Sequence, residues 1–95
     1  KVVIAYQDYG NSLYGTAIVG TVSGTSISFG TAVIFSNNVA VARTSTTFDS
    51  SLNKVVIAYT GSSNHGYAAV GTVSGTSISF GTPVAFNSAG NTLYV

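Results

Sequence analysis

Apolar and polar residues alternate along this chain in short runs that carry the period of a strand. KVVIAY, residues 1–6, is rich in β-branched and aromatic side chains, and six residues suit a strand better than a helix. Residues 14–22 predict a second strand, with Thr16, Ile18 and Gly20 on one face and Ala17, Val19 and Thr21 on the other. Ser23-Gly24 reads as a two-residue hairpin turn, glycine supplying the positive φ that a tight turn demands. Residues 25–35 predict the return strand, with Ile27 and Phe29 alternating against Ser26 and Ser28 and with Gly30 interrupting as a bulge. Ser36-Asn37-Asn38 is a polar loop, residues 39–48 a further strand, and residues 49–53 a turn into a second KVVIAY. No segment shows the 3.6-residue period of an amphipathic helix, so the expected class is all-β.

The pattern also repeats. KVVIAY returns unchanged at residues 54–59, and GTVSGTSISFGT at residues 20–31 returns unchanged at 71–82. The offsets are 53 and 51, so the loop between the two blocks is two residues shorter in the second copy. Farther on, AVIF at 32–35 matches PVAF at 83–86 in its valine and phenylalanine. Eighteen identical residues in two blocks mark a tandem repeat.

Four antiparallel strands in about 50 residues is the pattern of a β-propeller blade. On that reading residues 1–38 supply strands B, C and D of one blade. Residues 39–90 supply strands A to D of the next, and residues 91–95 begin a further A strand. The string TTFDSSLNKVVIAY, residues 46–59, followed by a C–D hairpin, resembles the blades of sialidase-like, BNR-type propellers and of tandem-blade surface and phage-tail proteins. The resemblance spans essentially the whole chain. It departs from the sialidase pattern in lacking the S-x-D-x-G-x-T-W box and any tryptophan. It implies a fold and not an activity, because blades of this kind serve hydrolases, lectins and scaffolds alike. Propellers close with about four to eight blades. Two blades per chain therefore predict a ring completed by copies of the chain or by a longer parent chain. A blade apolar on both faces also needs neighbours to stack on.

Charged residues are only 5% of the chain and hydrophobic residues 45%, which excludes a charge-rich disordered segment. Lys1, Arg43 and Lys54 against Asp8 and Asp49 leave a net charge of +1 and no phosphate-tracking surface, so nucleic acid is not an expected partner. There is no cysteine, hence neither a disulfide framework nor a thiolate metal site. No apolar run approaches the roughly 20 residues of a membrane-spanning helix. The chain begins at Lys1 with neither methionine nor signal peptide, and the expectation is a processed or excised segment. Abundant Ser, Thr, Gly and Asn with few charges suit an extracellular or virion surface.

The two copies differ mainly in two loops. Residues 7–13 stand against 60–65 in the B–C loop, and 36–38 against 87–90 in the D–A loop. In a propeller both loops open on the same face, where a rigid scaffold holds binding residues. Asp8, Tyr9 and Asn11 combine a carboxylate, an aromatic platform and an amide, the mixture a sugar site uses, and Asn64, His65 and Tyr67 are the matching group. Asp and Asn in loops also serve as turn formers. Asp49 with Asn53 fits a local cap better than a calcium site. Arg43, near the start of strand A, is placed to meet an anion or to pair with Asp8 or Asp49 of a neighbour. Tyr6, Phe29, Phe35, Phe48, Tyr59, Phe80 and Phe86 recur in register as an expected inter-blade core.

Catalysis has little to work with. There are two carboxylates, a lone histidine and a single arginine, so neither a glycosidase pair, a nucleophilic triad nor a sialidase arginine cluster is expected, and no metal or cofactor is implied. The expected function is a non-enzymatic binding or adhesion module with glycans as ligand class. The alternative is a structural subunit of an extracellular fibre or self-assembling scaffold.

Overall fold

A computed structural model describes residues 1–92 and shows two antiparallel sheets laid face to face. In the first sheet β1 (Val2–Asp8) pairs with β2 (Tyr14–Ser23) from Val2 opposite Gly20 to Asp8 opposite Tyr14. The return strand comes in two pieces, β3 (Ser26–Phe29) and β4 (Val33–Ile34), and both pair with β2. The break at residues 30–32 is the interruption that Gly30 predicts, and the Gly30 amide still donates to the Val19 carbonyl at 2.9 Å. The hairpin turn sits one residue later than the sequence reading had it. Ser23 pairs with Ser26, so Gly24 and Thr25 are the central pair, and Gly24 takes φ +62 at the first of them.

The second sheet repeats this plan and adds a strand. β5 (Ala42–Asp49) pairs with β6 (Lys54–Thr60), β6 with β7 (Gly66–Ser74), and β7 with both β8 (Ser77–Phe80) and β9 (Val84–Asn87). β5 begins at Ala42 and not at residue 39, because the chain between the sheets is tied back to the first sheet. Val41 donates its amide to the Leu13 carbonyl at 3.0 Å, and the register slips between Ala42 and Thr44, where Arg43 has φ +54. The turn between β5 and β6 is organised by Asp49, as expected, but through Ser51, whose amide and hydroxyl both donate to its Oδ1, at 3.0 and 2.6 Å. These bonds hold the Asp49 carboxyl below its ordinary value. Of the expected strand at 91–95, Asn91 and Thr92 are irregular, and residues 93–95 lie outside the described residues.

Alternation along the strands decides which side chains meet. The first sheet turns Val3, Ala5, Ala17 and Phe35 inward, and the second turns Val55, Ile57, Tyr59, Ala69 and Phe80 toward them. Phe35 is the knob of the joint. Its ring meets Tyr59 edge-on at 5.2 Å and Phe80 at 5.8 Å. Backbones approach as well: a Cβ at Gly30 would lie 2.0 Å from the Thr76 carbonyl oxygen in the second sheet's hairpin turn. Thr44 Oγ1 donates across the gap to the Ala5 carbonyl at 3.2 Å, and the Gln7 side-chain amide donates to the Val41 carbonyl.

The aromatic set expected in this core therefore divides. Phe35 and Tyr59 are buried and Phe80 packs at the margin, but Phe29, Phe48 and Phe86 are more than half exposed. Two sheets share a single interface, so each keeps one apolar face toward solvent.

Candidate functional site

All loops in which the two copies differ lie at one end of the stack. In the first sheet Asp8 pairs with Tyr14 and Ile34 with Thr16, so the β1–β2 loop and the chain after β4 leave together. Thr60 opposite Gly66 and Gly66 opposite Asn87 give the second sheet the same arrangement. The hairpin turns at Gly24 and Gly75 are at the other end.

At the loop end the sheets part around a cleft of about 110 Å³. Tyr59 and Tyr67 form one wall. Their rings are stacked at 5.7 Å with 17° between planes. Ser36, Asn37 and Val39 come from the loop after the first sheet, Ser62 from the β6–β7 loop, and Thr82 and Pro83 from the break between β8 and β9. Ser36 is buried and fixes the rim. Its Oγ accepts the Gly15 amide at 2.9 Å and donates to the Val39 carbonyl at 2.6 Å. Asn37 and Asn38 then turn the chain with φ near +60, a conformation asparagine tolerates better than most residues. Burial, with a smaller contribution from the neighbouring Tyr67, pushes the Tyr59 phenol up to about 12, so it stays a neutral hydroxyl over the physiological range. No carboxylate, imidazole or cation lines this cleft among the described residues. Its repertoire is aromatic faces, hydroxyls and one amide.

Of the six sequence-derived candidates, only Tyr67 lines the cleft. It belongs to β7 and not to the loop. Asp8 organises its own turn: Oδ1 accepts the Gly10 amide at 3.1 Å, and its carbonyl accepts the amides of Asn11 and Leu13. Asn11 extends that turn by accepting the Tyr14 amide at 3.0 Å, and Tyr9 projects from it, 88% exposed. Asn64 and His65 hold a single 3₁₀ turn, Ser62–Asn64, through bonds to Gly61 and Ser62, and the Asn64 carbonyl accepts the Thr92 amide at 2.7 Å. The turn-former role open to these residues is the one their hydrogen bonds display.

Sequence reasoning missed Ser36, Asn37, Ser62 and Pro83 as a group, and placed Tyr59 in the core alone. The usable signal was loop variation between copies, because Ser36-Asn37 and Ser62 lie in the two loops it marks. A larger hollow of about 450 Å³ lies between the start of β1 and the end of β5, lined mainly by Val2, Val3, Phe48, Val55 and Val73. No group of three or more metal-ligating side chains occurs among the described residues, and no helix there is long and apolar enough to cross a membrane. No protein-family model, curated protein or solved structure matches the chain.

Proposed function

We propose that the chain is a non-enzymatic binding module built from stacked propeller-type blades, with carbohydrate as its ligand class and the Tyr59–Tyr67 cleft as its site. The observation that carries this reading is the composition and place of the cleft. It lies between the loops that vary from copy to copy, and it offers tyrosine rings for the C–H face of a sugar beside Ser36, Asn37 and Ser62 for its hydroxyls. Its small volume suits part of one sugar ring, so each site is weak and useful affinity comes from presenting several together. Three or four chains closing a six- or eight-bladed ring on a cell or virion surface would supply that multiplicity.

Glycan-array screening followed by titration of any hit tests the proposal. Tyr67→Ala should abolish binding, Tyr67→Phe should retain it within about tenfold by keeping the ring stack, and Tyr9→Ala should leave it unchanged. Absence of any glycan hit, or loss of binding with Tyr9→Ala but not Tyr67→Ala, would overturn it. A structural-subunit reading is favoured by one separate observation: among the described residues no strand pairs with the outer edge of β1, and a hollow adjoins it where an added strand could seat.

A further inference from the structure

The repeat makes the two solvent-facing sheet surfaces recognisable. Val2, Ile4, Tyr6, Ile27 and Phe29 face outward on the first sheet, and they are the repeat equivalents of Val55, Ile57, Tyr59, Ile78 and Phe80, which form the second sheet's inward face. The second sheet's outward face carries Val56, Ala58, Ala68, Val70, Val84 and Phe86. These are the equivalents of Val3, Ala5, Ala17, Val19, Val33 and Phe35, which form the first sheet's inward face. Each exposed face therefore reproduces most of one side of the buried joint, Ile18 and Thr16 standing where the buried side has Ala69 and Tyr67, and the two sides are complementary to each other, not to themselves.

The exposed faces are shaped as well as composed for this. Phe86 rests on Gly66 as Phe35 rests on Gly15: a Cβ at either glycine would lie 2.6 Å from the phenylalanine Cζ. Phe86 is thus held as a knob but stands 58% exposed, while its socket, a half-buried Tyr6 and an exposed Phe29, lies on the outward face of the first sheet. Gly81 carries a second, independent sign. Its equivalent, Gly30, has the Thr76 carbonyl 2.0 Å from where a Cβ would be, whereas a Cβ at Gly81 meets nothing within 4 Å and Gly81 needs no positive φ. Within one chain nothing in the packing requires glycine there. A docked Thr25 carbonyl, the equivalent of Thr76, would.

We infer that a second copy of this chain docks head to tail, setting the outward face of its first sheet on the outward face of the second sheet and repeating the internal joint. The contact is heterologous, so it propagates to a closed ring or an open filament and does not stop at a two-fold dimer. The new joint brings Tyr6 and Tyr9 of one copy beside Asn87 and Ser88 of the other, which are the repeat positions of Tyr59, Ser62, Ser36 and Asn37. Thr16 stands at the repeat position of Tyr67, so the new joint lacks the stacked tyrosines of the inner cleft and adds no second sugar site. This inference rests on the stacked-blade reading, but not on any ligand.

Sedimentation velocity on the full chain tests it. Wild type should form species heavier than the 9.6 kDa monomer as concentration rises. Ile4→Lys on one face or Val84→Lys on the other buries an unpaired charge in the joint, and each should weaken association by roughly 100-fold or more, the two altered faces repelling each other in a mixture. Each variant alone should therefore sediment as a monomer, and the two mixed should give a 1:1 pair, because one intact face of each kind remains. Gly81→Ala should weaken association by roughly 10- to 100-fold, the effect of the same clash at a joint between chains, while leaving the circular dichroism spectrum unchanged. A wild type that stays monomeric overturns the inference. So does assembly by either charge variant alone, which would mean a symmetric or edge-to-edge contact, and so does failure of the mixture to pair. The inner cleft lies within one chain, so glycan titration of the monomeric Ile4→Lys variant tests the binding reading separately.

Discussion

The Thr76 carbonyl, seated against Gly30 of the other sheet, offers the sharpest test of how the sheets stack. In Gly30→Ala the new methyl would start 2.0 Å from the Thr76 carbonyl oxygen, with the Thr76 carbonyl carbon and Cβ both at 3.1 Å. The obstacle is mainly backbone in a tight turn, so relief requires the sheets to separate by about 1 Å along a joint packed by Phe35. Overpacking of this kind costs about 1–3 kcal/mol. Restricting the unfolded chain returns about 0.4–1 kcal/mol. The net expectation is a loss of about 1–2 kcal/mol, or a fall in Tm of roughly 5–15 °C for a domain of this size. Gly81→Ala is the matched control: the same F-G-T context, no positive φ and nothing within 4 Å, so its stability should be unchanged or slightly raised. Both belong in the Ile4→Lys background, where no second copy can dock. Thermal unfolding followed by far-ultraviolet circular dichroism reads the difference. Equal midpoints for the two alanine variants, within about 0.5 kcal/mol of one another, would refute the stacked arrangement at this point.

Ser36→Ala removes both the acceptor for the buried Gly15 amide and the donor to Val39, and should cost about 1–3 kcal/mol by urea unfolding. A cost within error of zero would mean that water reaches the Gly15 amide. The Tyr59 phenol, raised from 10.0 to about 12 chiefly by burial, predicts a stability that is full below pH 10 and is lost as pH rises through about 12. The urea midpoint should fall across that window together with the rise in tyrosinate absorbance, and Tyr59→Phe should remove that part of the fall. Titration of Tyr59 at its ordinary value with no loss of stability would count against its burial.

The strands were legible because their composition and period agree. KVVIAY is rich in β-branched residues and is followed by turn formers in both copies, and its VVIAY lies in a strand in both. The bulge was legible from Gly30 for a reason the sequence could not state: the glycine is there because another sheet's carbonyl comes against it. The hairpin turn and the start of β5 shifted because they depend on single hydrogen bonds. Ser23 pairs across the turn with Ser26, and Val41 is tied to Leu13. No propensity resolves such a choice. The site was legible only as a region. Asp8, Asn11, Asn64 and His65 have the side chains of a binding loop, yet their backbone groups are committed to holding turns. Tyr67 reaches the cleft because it sits one residue into β7 on the inward face, a position set by register and not by loop membership.

Identical sequence in the two copies has led to unequal surroundings, and that inequality carries the most information. A β-rich chain of this size that kept Phe29, Phe86, Val84 and Ile4 exposed for no reason would carry an avoidable aggregation hazard. Varying the exposed copy toward polar residues would remove it without touching the core, because Ile4 and Val84 have no buried role in a single chain. The loops at the cleft end did diverge between copies, so the repeat has tolerated change where packing does not forbid it. The faces diverged less: VVIAY, GTVSGTSISFGT and the valine and phenylalanine that follow stay matched on both the buried and the open sides, and the changes within the strands are few, Thr16 and Ile18 against Tyr67 and Ala69 among them. A head-to-tail joint accounts for this difference, because it places every copy of the repeat in the same packing environment once a second chain has docked.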